Sequence, residues 1–378
     1  MKALTLNISL MTFTAFIAAF LCEVVVRKAA PQILTGSWYV QTDTGLLVNK
    51  SSGSSTISHD SAIIRYSFYY PHLRDTPIKE NGGVKILILG ESFTFGWLLN
   101  KEDTTVEKIQ RFCDAAFGIN QFQFLNASKG GWGTADYVAY VEDFGDIIEP
   151  ELIIVFINHS DIDRSLKYNT QFKDDVLYTL ADENGLSLDR HKLDISQLKK
   201  VINAIPFYEW LLNHSHFVQL MRNTYMNNKF KILNINDLTS HEAAAEKNDS
   251  NARVHADNNS TEVRLAKALF LRLKEWADSH EALLIVTTTG YHNPSPSEAE
   301  TSNKYTKAFM SIAEEYFQSI DVPFIDVSPY IYSIMHEDID KFRIIDDHHP
   351  NSLATDLISK STWKYIIKDQ LSTYLSTH

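Results

Sequence analysis

Four short stretches of this chain carry residue types that could do chemistry together. The first is GESFTFG, Gly90 to Gly96, where Ser92 stands in a tight turn directly after an apolar run. A serine hydroxyl at such a turn becomes a nucleophile when a neighbouring base takes its proton, and the backbone N–H groups that follow can face an oxyanion. The second is NASKGGWG, Asn126 to Gly133, whose glycines let a main-chain N–H approach a ligand with no side chain in the way. The third is Asn158-His159-Ser160-Asp161, polar side chains able either to donate to a developing negative charge or to cap the next segment. The fourth is DDHHPN, Asp346 to Asn351, which offers an imidazole beside carboxylates: a base and a group to orient it.

Each stretch has an ordinary alternative. Serine is a common turn and cap residue, glycine-rich turns join many strands to helices, and paired histidines occur on surfaces. His159, Asp161 and Asp163 also invite a metal reading, but no second ligand group with suitable spacing accompanies them. Neither a metal nor a cofactor is expected.

The elements around these stretches give them a common place. Val84 to Leu89 (VKILIL) is a short continuous apolar run, the signature of a strand covered on both faces. Phe122 to Leu125, Leu152 to Ile157, Ala282 to Thr289 and Val322 to Val327 repeat it. Helical patterns alternate with these runs. Thr104 and Glu107 have capping-box spacing ahead of a stripe formed by Val106, Ile109, Phe112 and Ala116, and further helices are predicted over Thr134 to Phe144, Glu262 to Ser279 and Glu298 to Phe317. Strands alternating with helices imply a parallel sheet with helices on both faces. The first three strands each end in one of the first three polar stretches, so those ends share one edge of the sheet. Connection rules bring the fourth stretch to the same edge if it precedes a closing helix.

Two regions stand outside the alternation. Residues 32 to 80 read as an irregular lead-in with a serine-rich loop and aromatic positions at Tyr66, Phe68, Tyr69 and Tyr70. A long insertion, about 164–261, follows the third strand. It holds a hairpin over Tyr178 to Leu188 turned at Glu183-Asn184-Gly185, aromatic helical pieces around Pro206 to Tyr225, and a polar linker from His241 to Ser260. The insertion is either a cover over the site or a surface elaboration. Its Phe207, Tyr208, Trp210 and Phe217 line a groove or pack a small helical core.

At the N-terminus, Leu4 to Leu21 is mostly apolar, with Lys2 before it and Glu23, Arg27 and Lys28 after it. That length suits a membrane span or a signal region, and the absence of a small-x-small cleavage site favours the span. Residues 1–31 are therefore expected to be a membrane anchor or signal segment, and 32–378 a single domain. Positive charge flanks both ends, and an extracytoplasmic main domain is the preferred orientation. The net charge of -12 argues against nucleic acid as a partner. With only two cysteines, Cys22 and Cys113, neither a zinc framework nor a disulfide within the domain is expected.

Taken in order, GESFTFG, NASKGGWGTADY, FINHSDID and DDHHPN resemble the four motif blocks of the SGNH (GDSL-like) hydrolases, in particular their bacterial membrane-anchored members. EVVVR, Glu23 to Arg27, and HLRD, His72 to Asp75, resemble the anchor and lead-in segments of such proteins. The resemblance covers 84–163 and 282–370 well and the insertion poorly. It implies a flavodoxin-like three-layer α/β/α sandwich. It also implies Ser92 as nucleophile and first oxyanion donor, Gly131 as second donor, and Asp346 and His349 as the acid and base of a triad. Two departures stand out: Glu91 replaces the usual aspartate, and Ser160 falls where the family has an asparagine donor, with Asn158 as the alternative. The function implied is a serine esterase acting on an ester-bearing small molecule or an acylated glycan. The alternatives are an O-acyltransferase for a cell-envelope polysaccharide and a non-catalytic binding protein on the same scaffold.

Overall fold

The computed structural model describes residues 2–32, 34, 38–59, 62–158, 161, 177–181, 186–192, 207–225, 260–290, 310–336, 338–345, 347 and 349–377. Its contacts divide the chain into two units. One comprises Met1–Ser37, Ser55–Ile64 and Ser196–Lys247; the other comprises Trp38–Ser54, Arg65–Ile195 and Asn248–His378.

The strands are β1 Tyr39–Gln41, β2 Leu47–Asn49, β3 Gly53–His59, β4 Ala62–Tyr69, β5 Leu73–Arg74, β6 Val84–Leu89, β7 Phe122–Asn126, β8 Leu152–Ile157, β9 Tyr178–Leu180, β10 Leu188–Arg190, β11 Leu283–Thr288 and β12 Phe324–Ile325. Eight of them form one sheet in the order β12-β11-β8-β6-β7-β5-β4-β3. The segment from β12 to β7 is parallel throughout. Numbered by their appearance along the chain, its strands run 2-1-3-4-5, the flavodoxin-like order, in which the sheet reverses direction between the first strand and the third. That reversal point lies between β6 and β8.

Successive side chains of the parallel strands enter opposite layers. Leu87, Leu89, Leu125, Ile153 and Val155 join one core with helix α4 (Thr134–Ile148), helix α7 (Thr261–Ser279) and the helical residues 310–319, here α8. Ile86, Ile88, Phe124, Ile154 and Phe156 join the other, with α3 (Thr105–Phe117), α9 (Ser328–Met335) and α10 (Ser352–Thr362), which continues through a π-turn into α11 (Lys368–Thr377). Burial on both faces is why these strands read as unbroken apolar runs. The three-layer sandwich is present as expected. In α3, Thr104 caps the helix by accepting from the Glu107 N–H, but Cys113 takes the core position expected of Ala116, which is exposed.

The lead-in differs from expectation. Among the described residues of 32 to 80, β1 and β2 form an antiparallel ribbon, and β3, β4 and β5 extend the sheet beyond β7. The reason is the alternation of Ile64, Tyr66 and Phe68, all buried, with Arg65 and Ser67 between them. This period of two is the mark of a strand with one covered face.

Within the insertion, β9 and β10 pair as the expected hairpin, although its turn residues Glu183, Asn184 and Gly185 lie outside the described residues. An ionic cluster holds the hairpin to α4: Arg190 binds Glu142 at 2.8 Å and Asp143 at 2.6 Å, and the Tyr178 hydroxyl donates to Glu142 at 2.6 Å. Arg272 of α7 binds Glu142 as well. The linker from His241 to residue 259 and the first part of the helix begun at Glu298 lie outside the described residues.

In the other unit the described helices are α1 (Lys2–Ala29), α5 (Tyr208–His214) and residues 216–225, here α6. The segment Ser9–Ala29 of α1, 21 residues, is long and apolar enough to cross a membrane, as a signal sequence also is.

Candidate active site

Ser92 opens a one-turn helix, α2 (Ser92–Phe95), immediately after β6. The turn is held from both ends. Glu91 caps it, its Oε1 accepting from the Phe93 N–H at 3.0 Å, and the N–H groups of Gly96 and Trp97 each donate to the Ser92 carbonyl at 3.0 Å. A side chain at Gly90 would lie 2.3 Å from Thr94 Oγ1, so the strand can bend this closely into the helix only without one.

A buried guanidinium completes the support. Arg74, at the end of β5, donates to the carbonyls of Phe95, Gly96 (2.8 Å) and Leu99 (2.6 Å), the carbonyls left over where α2 ends. Its guanidinium carbon lies 4.3 Å from the ring centroids of both Tyr66 and Phe95, which touch each other edge to face, and its Nε pairs with Asp75 at 2.8 Å. The sequence marks Arg74 only through the HLRD resemblance.

His349 reaches Ser92 from the loop before α10. Its Nε2 lies 2.8 Å from Ser92 Oγ. The loop is closed by Ile344 N–H to His349 O (3.0 Å) and Asn351 N–H to Phe342 O (3.0 Å). Asn351 then caps α10 with its side-chain oxygen, while its amide nitrogen donates to Lys341 O and Arg343 O at 2.8 and 2.9 Å. From α3, Lys108 donates to Ser352 O at 2.7 Å and pairs with Asp356 at 2.8 Å, tying α10 down on the same side of the sheet.

The carboxylate on His349 Nδ1 is Asp347, whose Oδ1 also accepts from the His349 backbone N–H at 2.8 Å. The acid expected from the resemblance, Asp346, lies outside the described residues; among those described, Asp347 is the carboxylate on the ring. The physical reason is local. A carboxylate two residues before the histidine meets both its backbone and its ring nitrogen, so it fixes the imidazole by two bonds. Trp97 Nε1 donates to the other oxygen of Asp347 at 3.4 Å, and the rings of Phe93 and Trp97 pack against the imidazole. Burial alone would push the Asp347 carboxyl up; the hydrogen bonds and charge of His349, with help from Trp97, outweigh it and lower the carboxyl to about 2.

Ser92 Oγ has a second close partner, Glu91 Oε2 at 2.5 Å. One hydroxyl hydrogen cannot serve both neighbours. The hydroxyl must therefore turn from Glu91 to His349 Nε2 for the ring to accept its proton.

The other strand ends converge on the same edge. Lys129 to Trp132 form a turn closed by Trp132 N–H to Lys129 O at 3.3 Å, with Gly131 at φ +83°, as the third position of a type II turn requires. Gly130 packs beside the nucleophile: a methyl group at its Cα would lie 3.6 Å from Ser92 Cβ. Lys129 Nζ donates to the Gly130 carbonyl at 2.9 Å, which holds that peptide in one orientation. Asn158 directly follows β8, the strand that pairs with β6 on the other side of the reversal point. Its backbone N–H is taken by Asp161 at 2.8 Å, and Asp161 is fixed in turn by the Tyr137 hydroxyl at 2.9 Å. Asp161 is thus a structural clasp. The side-chain amide of Asn158 makes no hydrogen bond among the described residues. Ser160 and His159 lie outside them.

The site can therefore do acyl chemistry: a hydroxyl, an imidazole and a carboxylate stand in line at the crevice where open α/β sheets bind ligands. His349 and Asp347 keep side-chain exposures of 25% and 22%, so the relay is reachable from solvent.

No protein-family model and no curated protein matches the chain. Among solved structures it is similar to the psychrotrophic esterase EstA from Pseudoalteromonas sp., at 13% identity and TM-score 0.38 over 76% of this chain and 98% of that one. It is similar to a catalytic variant of Axe2, an acetylxylan esterase from Geobacillus stearothermophilus, at 12% identity and TM-score 0.40 over 76% and 95%. It is also similar to TesA, at 10% identity and TM-score 0.39 over 74% and 96%.

Proposed function

We propose that this chain is a serine hydrolase of the SGNH type that cleaves acyl or acetyl esters. The observation that carries the reading is the relay Ser92–His349–Asp347, with Ser92 Oγ 2.8 Å from His349 Nε2. His349 takes the Ser92 proton as Oγ attacks the acyl carbon. Asp347 holds the ring tautomer and balances the imidazolium. The tetrahedral oxyanion is received by the N–H groups of Ser92 and Gly131 and by the Asn158 amide, in the role expected of Ser160. The C–O bond to the alcohol breaks, His349 returns the proton to it, and the acyl group stays on Ser92. Water, deprotonated by His349, then releases the acid and restores the serine.

The substrate class is an ester-bearing small molecule or an acylated glycan, and the net charge of -12 supports no role for nucleic acid. The apolar stretch of α1 supports a single-pass anchor; an extracytoplasmic main domain belongs to the same proposal. The same stretch favours a second reading, in which a sugar hydroxyl of an envelope polymer replaces water as acyl acceptor.

The test is covalent labelling by a fluorophosphonate probe together with hydrolysis of a p-nitrophenyl ester. Ser92→Ala should abolish labelling and lower kcat by on the order of a millionfold. Labelling that survives this substitution would overturn the assignment. Product analysis with glycan acceptors separates the two readings: acyl transfer in excess of hydrolysis identifies a transferase.

A further inference from the structure

The last turns of α1 hold a partner far away in sequence. Glu23 Oε2 accepts from the Ser215 hydroxyl and the Phe217 N–H, both at 2.8 Å, and its Oε1 accepts from the His216 N–H at 3.2 Å. These groups open α6, so Glu23 caps that helix from another part of the chain. One turn on, Arg27 pairs with Glu23 at 2.7 Å and donates to the His214 carbonyl, at the end of α5, at 2.8 Å. Just beyond α1, the Gln32 N–H donates to His216 Nδ1 at 2.8 Å. The corner between α5 and α6 is clamped to the C-terminal end of α1, where the apolar stretch gives way to Arg27 and Lys28.

That corner displays apolar side chains instead of covering them. Phe207, directly before α5, and Trp210, in its first turn, are 80% and 57% exposed; Met221 and Tyr225 share one face of α6 and are 58% and 49% exposed. The interior of the pair is held by Leu212 and Gln219. Large exposed apolar groups at the level of a span's end, with Trp and Tyr among them and Arg27, Lys28 and Arg222 close in sequence, match the chemistry of a lipid headgroup boundary.

We propose that α5 and α6 form an interfacial foot, lying in the boundary layer of the membrane that α1 crosses, with Phe207, Trp210, Met221 and Tyr225 entering the acyl region. The occupant of this face is the lipid bilayer. The inference rests on the reading of α1 as a membrane span and adds a second membrane contact to it.

Spin labelling of the full chain in vesicles of mixed zwitterionic and anionic phospholipid tests it. In a Cys22→Ser background, with Cys113 buried, single cysteines are introduced by Phe16→Cys, Trp210→Cys, Met221→Cys and Ile119→Cys, and nitroxide accessibility to oxygen and to a water-soluble nickel chelate is compared. The labels at 210 and 221 should favour oxygen several-fold more than the label at 119, and less than the label at 16. Adding Glu23→Ala should return position 221 towards the value at 119 while leaving position 16 unchanged. If positions 210 and 221 match 119, or are shielded from both reagents by protein, while 16 favours oxygen, the foot is wrong and the anchor stands. If position 16 also favours nickel, the anchor reading fails and the foot falls with it.

Discussion

The indole N–H of Trp97 donates to Asp347 Oδ2 at 3.4 Å, so the carboxylate that orients His349 is steadied from the turn that carries Ser92. The serine and the histidine lie 257 residues apart in the chain, yet the segments that carry them restrain each other. Asp347→Asn should leave the structure intact and lower kcat by on the order of ten-thousandfold, because the amide no longer holds the ring in the tautomer that accepts the serine proton. Asp346→Asn should leave kcat near wild type. Steady-state hydrolysis of a p-nitrophenyl ester compares the two; a larger loss from the Asp346 variant would return the acid to that position.

Asp347 also makes stability depend on pH. Its carboxyl is lowered to about 2 in the folded state, against its higher ordinary value. The unfolded chain therefore takes up the proton first as the pH falls. The contribution is fully present above the ordinary carboxylate range and is lost on acidification through about 2. The Tm advantage of wild type over Asp347→Asn, followed by scanning calorimetry at stepped pH, should shrink between about pH 4 and pH 2. An advantage that stays constant across that window would mean the carboxylate is not held this way.

Arg74 should matter for both stability and rate. Arg74→Met removes the side-chain donor to the carbonyls of Phe95, Gly96 and Leu99 and the cation paired with Asp75, a loss of about 3–5 kcal/mol for a buried pair broken on one side. Arg74→Lys keeps the charge but not the planar fork that reaches three carbonyls at once. The lysine variant should fold with a lower Tm and react more slowly with a fluorophosphonate. Unchanged labelling by a destabilised lysine variant would confine Arg74 to a structural role.

These cases mark what the chain discloses by itself. The buried parallel strands were legible because a strand covered on both faces must be apolar along its whole length, and the polar stretches were legible because they follow those strands directly. The strand carrying Ile64, Tyr66 and Phe68 escaped notice although its period of two was visible, because serine-rich and aromatic neighbours obscured it. Between two adjacent aspartates, the choice of Asp347 depends on how the loop from Arg343 to Pro350 closes, and no local pattern encodes that. The cap that Glu23 gives to a helix 194 residues away leaves no trace in either segment read alone.

The altered third motif supplies the last test. The resemblance assigns Ser160 the third oxyanion donor, while Asn158, directly after β8, has its side-chain amide unbonded among the described residues. An amide at a strand end is a stiffer donor than a serine hydroxyl, whose rotor is free. If Asn158 stabilises the oxyanion, Asn158→Ala should lower kcat by about 10²–10³, or about 2.7–4 kcal/mol of transition-state stabilisation, with KM nearly unchanged, because the bond forms only as charge develops. Ser160→Ala should have a much smaller effect. Phosphonylation followed by stopped-flow gives the same comparison without turnover, since the phosphonate oxygen occupies the oxyanion position. The reverse ranking would restore the donor to Ser160 and make Asn158 a strand-end residue whose role is set by its backbone bond to Asp161.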